Sequence, residues 1–168
     1  VYAEKKASER DIGWHRGGTK VAYYPNGIRK DCSRSFKTLY TMTFTYEFEY
    51  DDDSVYFAYC YPYTYTELVE ELNTILADPI KQQYVKRQTL CETLAGNKCE
   101  YLTITSKQNQ ENMAKRKGVI ITARVHPGES VGSWMMKGAL DFLTSDCSQA
   151  QMLRQVYVIF IVPMLNPD

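Results

Sequence analysis

Val119-Ile120-Ile121-Thr122-Ala123-Arg124-Val125-His126-Pro127-Gly128-Glu129-Ser130 is the stretch on which the reading of this chain turns. Residues 119–125 are nearly continuous in apolar character, the pattern of a strand covered on both faces. The run ends in His126 and Glu129, which flank Pro127-Gly128. Met136, Ala139, Leu140 and Leu143 follow at helical spacing, with Ser130 or Ser133 as the expected N-cap. A second apolar run covers 156–162. Strand, helix and strand in this order predict a crossover joining a parallel pair. Open α/β sheets bind ligands beyond the carboxyl ends of their strands, and His126 falls at such an end.

An imidazole nitrogen and a carboxylate oxygen are both good zinc donors, and a catalytic zinc takes three protein ligands plus an open position. Gly128 permits the sharp turn that brings the two side chains to one side of the loop. The bland reading is an exposed or helix-capping pair, with Glu129 merely favoured by the positive end of the next helix. On the residues alone both readings stay open. Only two histidines occur, His15 and His126, and His15 lies in a different module. A complete metal site is therefore not expected within these 168 residues, and we expect a piece of a longer metallohydrolase.

Upstream the pattern differs. Met42, Phe44, Tyr46, Phe48 and Tyr50 alternate with Thr and Glu, which is the period of a strand with one apolar face. Residues 21–24 read as a short strand, Pro25-Asn26-Gly27 as a turn, and 35–50 as a long strand returning through Asp51-Asp52-Asp53-Ser54 onto 55–61. These predict an antiparallel hairpin in a β-sandwich-like module whose core the tyrosines between 40 and 65 fill. After Pro62, Thr64 and Glu67 fit a capping box, and Leu68, Leu72, Ile75 and Leu76 form one helical face that Asp78-Pro79 ends. Strands are predicted near 89–94 and 99–105 around a Gly96-Asn97 turn, then a polar surface loop over 107–117. The fold class is thus an α/β portion, a mixed sheet with a βαβ unit, preceded by the end of an antiparallel β-sandwich. The domains are residues 1–61 and 62–168.

Composition narrows the partners. Lys+Arg 20 against Asp+Glu 20 gives no global signature of nucleic-acid or membrane-surface binding. The longest apolar run, 156–165, is half of the ~20 residues a bilayer span needs, and the N-terminus has no signal-peptide core. The five cysteines are odd in number and lack a C-x-x-C pair. Reduced, mostly buried thiols in a cytoplasmic protein are the expectation, with a Cys91–Cys99 bridge as the alternative.

Residues 123–130, with Ser133-Trp134-Met135-Met136-Lys137-Gly138, resemble the zinc segment of the cytosolic carboxypeptidases, a branch of the M14 metallocarboxypeptidases. Val162-Pro163-Met164-Leu165-Asn166-Pro167-Asp168 resembles the next landmark of that branch. Tyr61-Pro62-Tyr63-Thr64-Tyr65 resembles its junction between N-domain and catalytic domain, and Trp14, Arg16 and Tyr23-Tyr24-Pro25-Asn26-Gly27 the close of the N-domain. The resemblance implies a Zn2+ cofactor held by His126 and Glu129. It also implies removal of glutamates from acidic or polyglutamylated protein tails, chiefly tubulin, at a cytoplasmic site associated with microtubules, centrioles or cilia. The third ligand, the general base and the groups that hold substrate are expected beyond Asp168, so this chain alone is expected to be inactive. Trp134 is expected to be core rather than a substrate platform, and Asn166-Pro167-Asp168 to shape a strand exit.

Two other functions remain open at this point. One is a zinc amidohydrolase that deacylates N-acyl amino acids, which also uses H-x-x-E at a strand end. The other is a non-enzymatic truncated form that binds tubulin or another partner through the Tyr-rich module.

Overall fold

The computed structural model describes residues 1–32, 35–107 and 110–168, with 29–32, 35–37 and 110–112 described by their backbone only. The chain divides into two compact units, Val1–Tyr59 and Cys60–Asp168.

In chain order the first unit holds β1 (Tyr2–Ala3), α1 (Glu4–Arg10), β2 (Thr19–Cys32), β3 (Ser35–Thr45) and β4 (Val55–Tyr56). Two separate antiparallel pairs form, β1 with β4 and β2 with β3. The expected hairpin of 35–50 against 55–61 is therefore replaced. The acidic turn is tied to the start of α1, where Lys5 N–H donates to Asp53 Oδ1 at 3.0 Å and Glu4 N–H to the Ser54 carbonyl at 3.1 Å. That draws the returning segment onto β1. Pro25-Asn26-Gly27 lies inside β2 rather than at a turn. The register shifts between Pro25 and Arg29, Gly27 has φ +77°, and Asn26 donates to Thr41 Oγ1 at 3.0 Å, so the signal marks a bulge. The apolar face of β3 is also more open than expected, with Met42 55% and Phe44 40% exposed. Between 40 and 65 only Tyr63 among the tyrosines is buried.

The second unit holds α2 (Tyr65–Ala77), β5 (Val85–Glu92), β6 (Lys98–Ile104), β7 (Lys117–Thr122), α3 (Ser130–Leu143), α4 (Ser148–Val156) and β8 (Tyr157–Val162). Its sheet has the order β5-β6-β8-β7, with β8 antiparallel to β6 and parallel to β7. This is the mixed α/β sheet with a βαβ unit that the sequence pattern predicts. The capping box is formed, with Glu67 N–H donating to Thr64 Oγ1 at 3.1 Å and Thr64 N–H to the Glu67 carboxylate at 2.6 Å. Leu68, Leu72 and Ile75 of α2 and Met136, Leu140 and Leu143 of α3 share one core cluster with Leu102, Ile104, Ile159 and Ile161 of the sheet.

The other face of the sheet is open. Ile120 is 74% exposed and Phe160 half-buried, so neither β7 nor β8 is covered on both faces. β7 is one edge strand of this sheet and β8 lies inside it. The expected loop 107–117 includes a short 3-10 helix, Gln110–Lys115, while residues 108 and 109 lie outside the described ones.

Of the large apolar residues of helix α4 only Leu153 packs on the core, while Met152 and Val156 are exposed. Its buried residues are Ala150 and Arg154. The Arg154 guanidinium donates to the carbonyls of Leu143 at 2.6 Å and Ser145 at 2.8 Å, closing the C-terminal end of α3, and lies over the Tyr84 ring at 4.1 Å. Arg154→Met keeps most of the stem but strands one buried and one part-buried carbonyl, so it is expected to destabilise the protein by about 2–4 kcal/mol. Thr64→Ala, which loses only the exposed cap, is expected to cost about 1 kcal/mol. Urea unfolding of both variants beside the parent checks the ranking.

Candidate metal centre

Strand β7 ends at Thr122, paired with Val162, but its alignment with the neighbouring chain continues. Ala123 N–H donates to the Val162 carbonyl at 3.1 Å, Leu165 N–H to the Ala123 carbonyl at 2.9 Å, and Asn166 N–H to the Arg124 carbonyl at 3.1 Å. The two strand exits thus leave the sheet side by side. Arg124 then takes a left-handed backbone, φ 57°, which costs a non-glycine residue about 1–2 kcal/mol. That reversal ends the strand three residues before the expected end at 125.

Residues 126–129 form a turn in which Glu129 N–H donates to the His126 carbonyl at 3.1 Å. Proline is favoured at its second position, and such a turn brings its end Cα atoms to within about 7 Å. His126 and Glu129 are thereby neighbours, and both are exposed. Glu129 is the N-cap of α3 but makes no side-chain capping bond, so the capping half of the bland reading is not realised.

The expected serine caps have other partners. The Ser130 hydroxyl accepts from Cys60 Sγ at 3.5 Å, and the Ser133 hydroxyl accepts from Arg124 at 2.8 Å. As donors, an imidazole and a carboxylate fit Zn2+ in kind and supply two of the three ligands a catalytic site needs. Among the described residues, no group of three or more His, Cys, Asp or Glu stands together as a metal site.

Arg124 ties the loop down. Its Nε donates to the Pro127 carbonyl at 2.9 Å, and its Nη1 to the Tyr63 carbonyl at 3.0 Å and to Ser133 Oγ. Two of these acceptors belong to the packed core. Ser133 is 2% exposed and Tyr63 5%. The Tyr63 ring meets Trp134 edge-on at 5.1 Å, and its hydroxyl donates to Glu71 of α2, which also pairs with Lys137 of α3. The Trp134 indole N–H donates to the Tyr61 carbonyl at 3.2 Å. Trp134 is thus half-buried packing, as expected.

Nothing in the apolar periodicity marks Arg124 as part of the site. The signal that could have done so is its charge, which interrupts an otherwise apolar strand run.

The second strand exit is shaped by Asp168, whose carboxylate accepts from Thr93 Oγ1 at 2.6 Å and Asn97 Nδ2 at 2.9 Å. These bonds, the Thr93 one first, hold its carboxyl below the usual range. Cys91 and Cys99 face each other across β5 and β6, and Cys60, Cys91, Cys99 and Cys147 are all free thiols. Only Cys99 of these four is buried, which corrects the expectation of mostly buried thiols. The Cys32 side chain lies outside the described residues. His15 sits in the first unit with its ring nitrogen on the Gly13 carbonyl at 3.0 Å.

Residues 77–168 match the family profile described as zinc carboxypeptidase, Peptidase M14. Over 169 residues the chain is 48% identical to cytosolic carboxypeptidase 2 of Xenopus tropicalis, covering 100% of this chain and 17% of that protein. The human cytosolic carboxypeptidase 2 is 47% identical, over 100% of this chain and 18% of that protein. Cytosolic carboxypeptidase 3 of Bos taurus is 46% identical, over 99% and 16%. The chain therefore spans less than a fifth of the length of these curated relatives. Among solved structures, a putative carboxypeptidase A from Shewanella denitrificans is 29% identical with a TM-score of 0.55, over 64% of this chain and 26% of that one. A metallo-carboxypeptidase from Burkholderia cenocepacia is 28% identical, also with a TM-score of 0.55, over 64% and 28%.

The support beneath the turn has a pH signature. Burial first, and the bond to Glu71 second, push the Tyr63 hydroxyl far above its ordinary value of 10.0. The same carboxylate raises Lys137 above 10.5. The unfolded chain releases both protons at lower pH than the folded one. Stability is therefore complete below about pH 10 and falls as the pH rises above it. Tyr63→Phe is expected to flatten that loss, read as the slope of the urea midpoint between about pH 10 and 12. An unchanged slope would show that the Tyr63 proton is not linked to folding.

Proposed function

This chain belongs to the zinc carboxypeptidase family, and from that premise we propose that its protein is a zinc-dependent carboxypeptidase acting on glutamate-rich protein tails, polyglutamylated tubulin foremost. The carrying observation is the His126–Glu129 turn at the end of β7, with both donors exposed beside the exit of β8. On this reading His126 and Glu129 are zinc ligands, and Zn2+ supplies Lewis-acid activation of a water and of the scissile carbonyl. The third ligand, the general base and the carboxylate-binding groups lie outside these 168 residues. The length of the relatives leaves ample chain for them.

The residues of this chain do the positioning. The turn presents two ligands from one short segment, and the core under α3 keeps that segment fixed. Arg124 is engaged within the protein, its Nε donating to Pro127 and its Nη1 to Tyr63 and Ser133. Glutamate as the released residue is what the resemblance to the cytosolic branch implies, and the relatives that match along the whole chain are named cytosolic carboxypeptidases. A cytoplasmic location near microtubules, centrioles or cilia follows from the same reading. Among the described residues no helix is long and apolar enough to cross a membrane. The amidohydrolase alternative is disfavoured, because the matched family and the similar solved structures are carboxypeptidases.

The test uses the full-length protein containing this chain, the 168-residue chain alone, and a full-length His126→Ala variant. Zinc is counted by mass spectrometry, and amino-acid release is followed on peptides ending in a glutamate run or in leucine. One zinc per full-length molecule and preferential glutamate release are expected, with neither in the chain alone. His126→Ala should lose more than the ~10–100-fold that removing an outer partner of a ligand costs. Zinc binding and activity that survive His126→Ala would refute the ligand assignment. Equal release of leucine would refute the glutamate-tail substrate while leaving the metal site standing.

A further inference from the structure

We propose that Arg124 is a positioning residue for the metal site: its guanidinium locks the His126–Glu129 turn against Tyr63 and Ser133, so that the two ligands are held in one fixed relation. The proposal rests on the reading of this turn as a zinc loop.

Three features of the structure carry it. First, the backbone at Arg124 is left-handed, at a position where glycine would sit without strain. A large charged residue persists there because its side chain is held elsewhere. Second, the guanidinium reaches three parts of the unit. The Pro127 carbonyl lies between the ligands, the Tyr63 carbonyl precedes α2, and the Ser133 hydroxyl lies on α3. The planar fork of arginine donates in several fixed directions at once, which a lysine ammonium on its flexible stem does not reproduce. Third, Tyr63 and Ser133 are buried and packed while Pro127 is exposed, so the fork fastens an exposed turn to the core.

The experiment compares full-length Arg124→Ala, Arg124→Gly, Arg124→Lys, Ser133→Ala and His126→Ala with the parent. Zinc affinity is measured by competition with a chelator of known strength, thermal midpoints are taken on the metal-free proteins, and kcat and KM are separated on a glutamate-ended peptide. Arg124→Ala and Arg124→Gly are both expected to weaken zinc roughly tenfold or more. kcat should fall while KM changes little, and Arg124→Lys should recover part of the zinc affinity. The glycine variant is decisive, because it adopts the left-handed backbone freely. Parent-like zinc affinity in Arg124→Gly would mean that the backbone alone sets the turn and would overturn the proposal.

If Arg124→Ala fails to fold, Ser133→Ala carries the test. It removes one acceptor with little change of volume and should weaken zinc about threefold or more. Parent-like affinity there overturns the proposal as well. Failure of the zinc reading itself shows differently: His126→Ala would then leave zinc affinity unchanged, whatever the Arg124 variants do.

Discussion

The parallel register of β7 and β8 is the constraint from which the site follows. Parallel neighbours run out of the sheet at the same end, so the segments after Thr122 and Val162 emerge together. The backbone bonds from Ala123, Leu165 and Asn166 extend that pairing past the regular ladder. A parallel pair also requires a crossover, and here α3 and α4 supply it. Since α3 starts at Ser130, its first turn packs directly behind the ligand turn, and Ser133 is buried where Arg124 can reach it. The position of the exposed His126 and Glu129 is thus a consequence of strand direction, then of crossover, then of the first turn of the helix.

Arginines close both ends of this arrangement by the same physics. At the entry to β8, Arg154 caps α3 through two carbonyls. Its own carbonyl accepts from Ser106 N–H at 2.7 Å and from Arg116 at 3.2 Å. At the exit, Arg124 satisfies the carbonyls of Tyr63 and Pro127. Buried carbonyls without donors are costly, and a buried guanidinium is tolerable only when its N–H groups are engaged. Arg154 therefore removes two liabilities together, its own burial and that of the Leu143 carbonyl, whereas the half-buried Arg124 joins the carbonyl of the buried Tyr63 to that of the exposed Pro127. Neither depends on a carboxylate partner at these contacts, so both are geometric fasteners more than charge pairs.

Much of the second unit was legible in the sequence, because local chemistry and tertiary packing agree there. The Thr64–Glu67 box, the apolar face of α2, the β5–β6 hairpin and the parallel strand pair each have a short-range signal that the core reinforces. The first unit was less legible, since period two identifies a strand but not its partner. Residues 35–45 pair backward onto β2 because the Asp51–Ser54 turn is held by α1, a contact between distant segments that no local pattern encodes. Helix α4 escaped notice because its inward side combines Ala150 and Arg154 with a single large apolar residue, Leu153. At the site, His126 and Glu129 were legible by donor type and by position at a strand end. The left-handed turn at Arg124 was not, since it depends on acceptors at Tyr63 and Ser133.

On the proposed reading, two donors in one turn have a further consequence. Residues this close in sequence share a face with little loss of chain entropy, so the pair is nearly preformed once α3 docks. A third ligand from a distant segment has no such advantage. It reaches the turn only after the rest of the sheet has assembled against the open edge of β7. Metal binding at a site so divided draws on folding free energy, and the metal in turn stabilises the closed sheet. The rigid half built around Arg124 then has a clear purpose. It fixes two coordinates of the metal in advance, so that completing the fold need supply only the third.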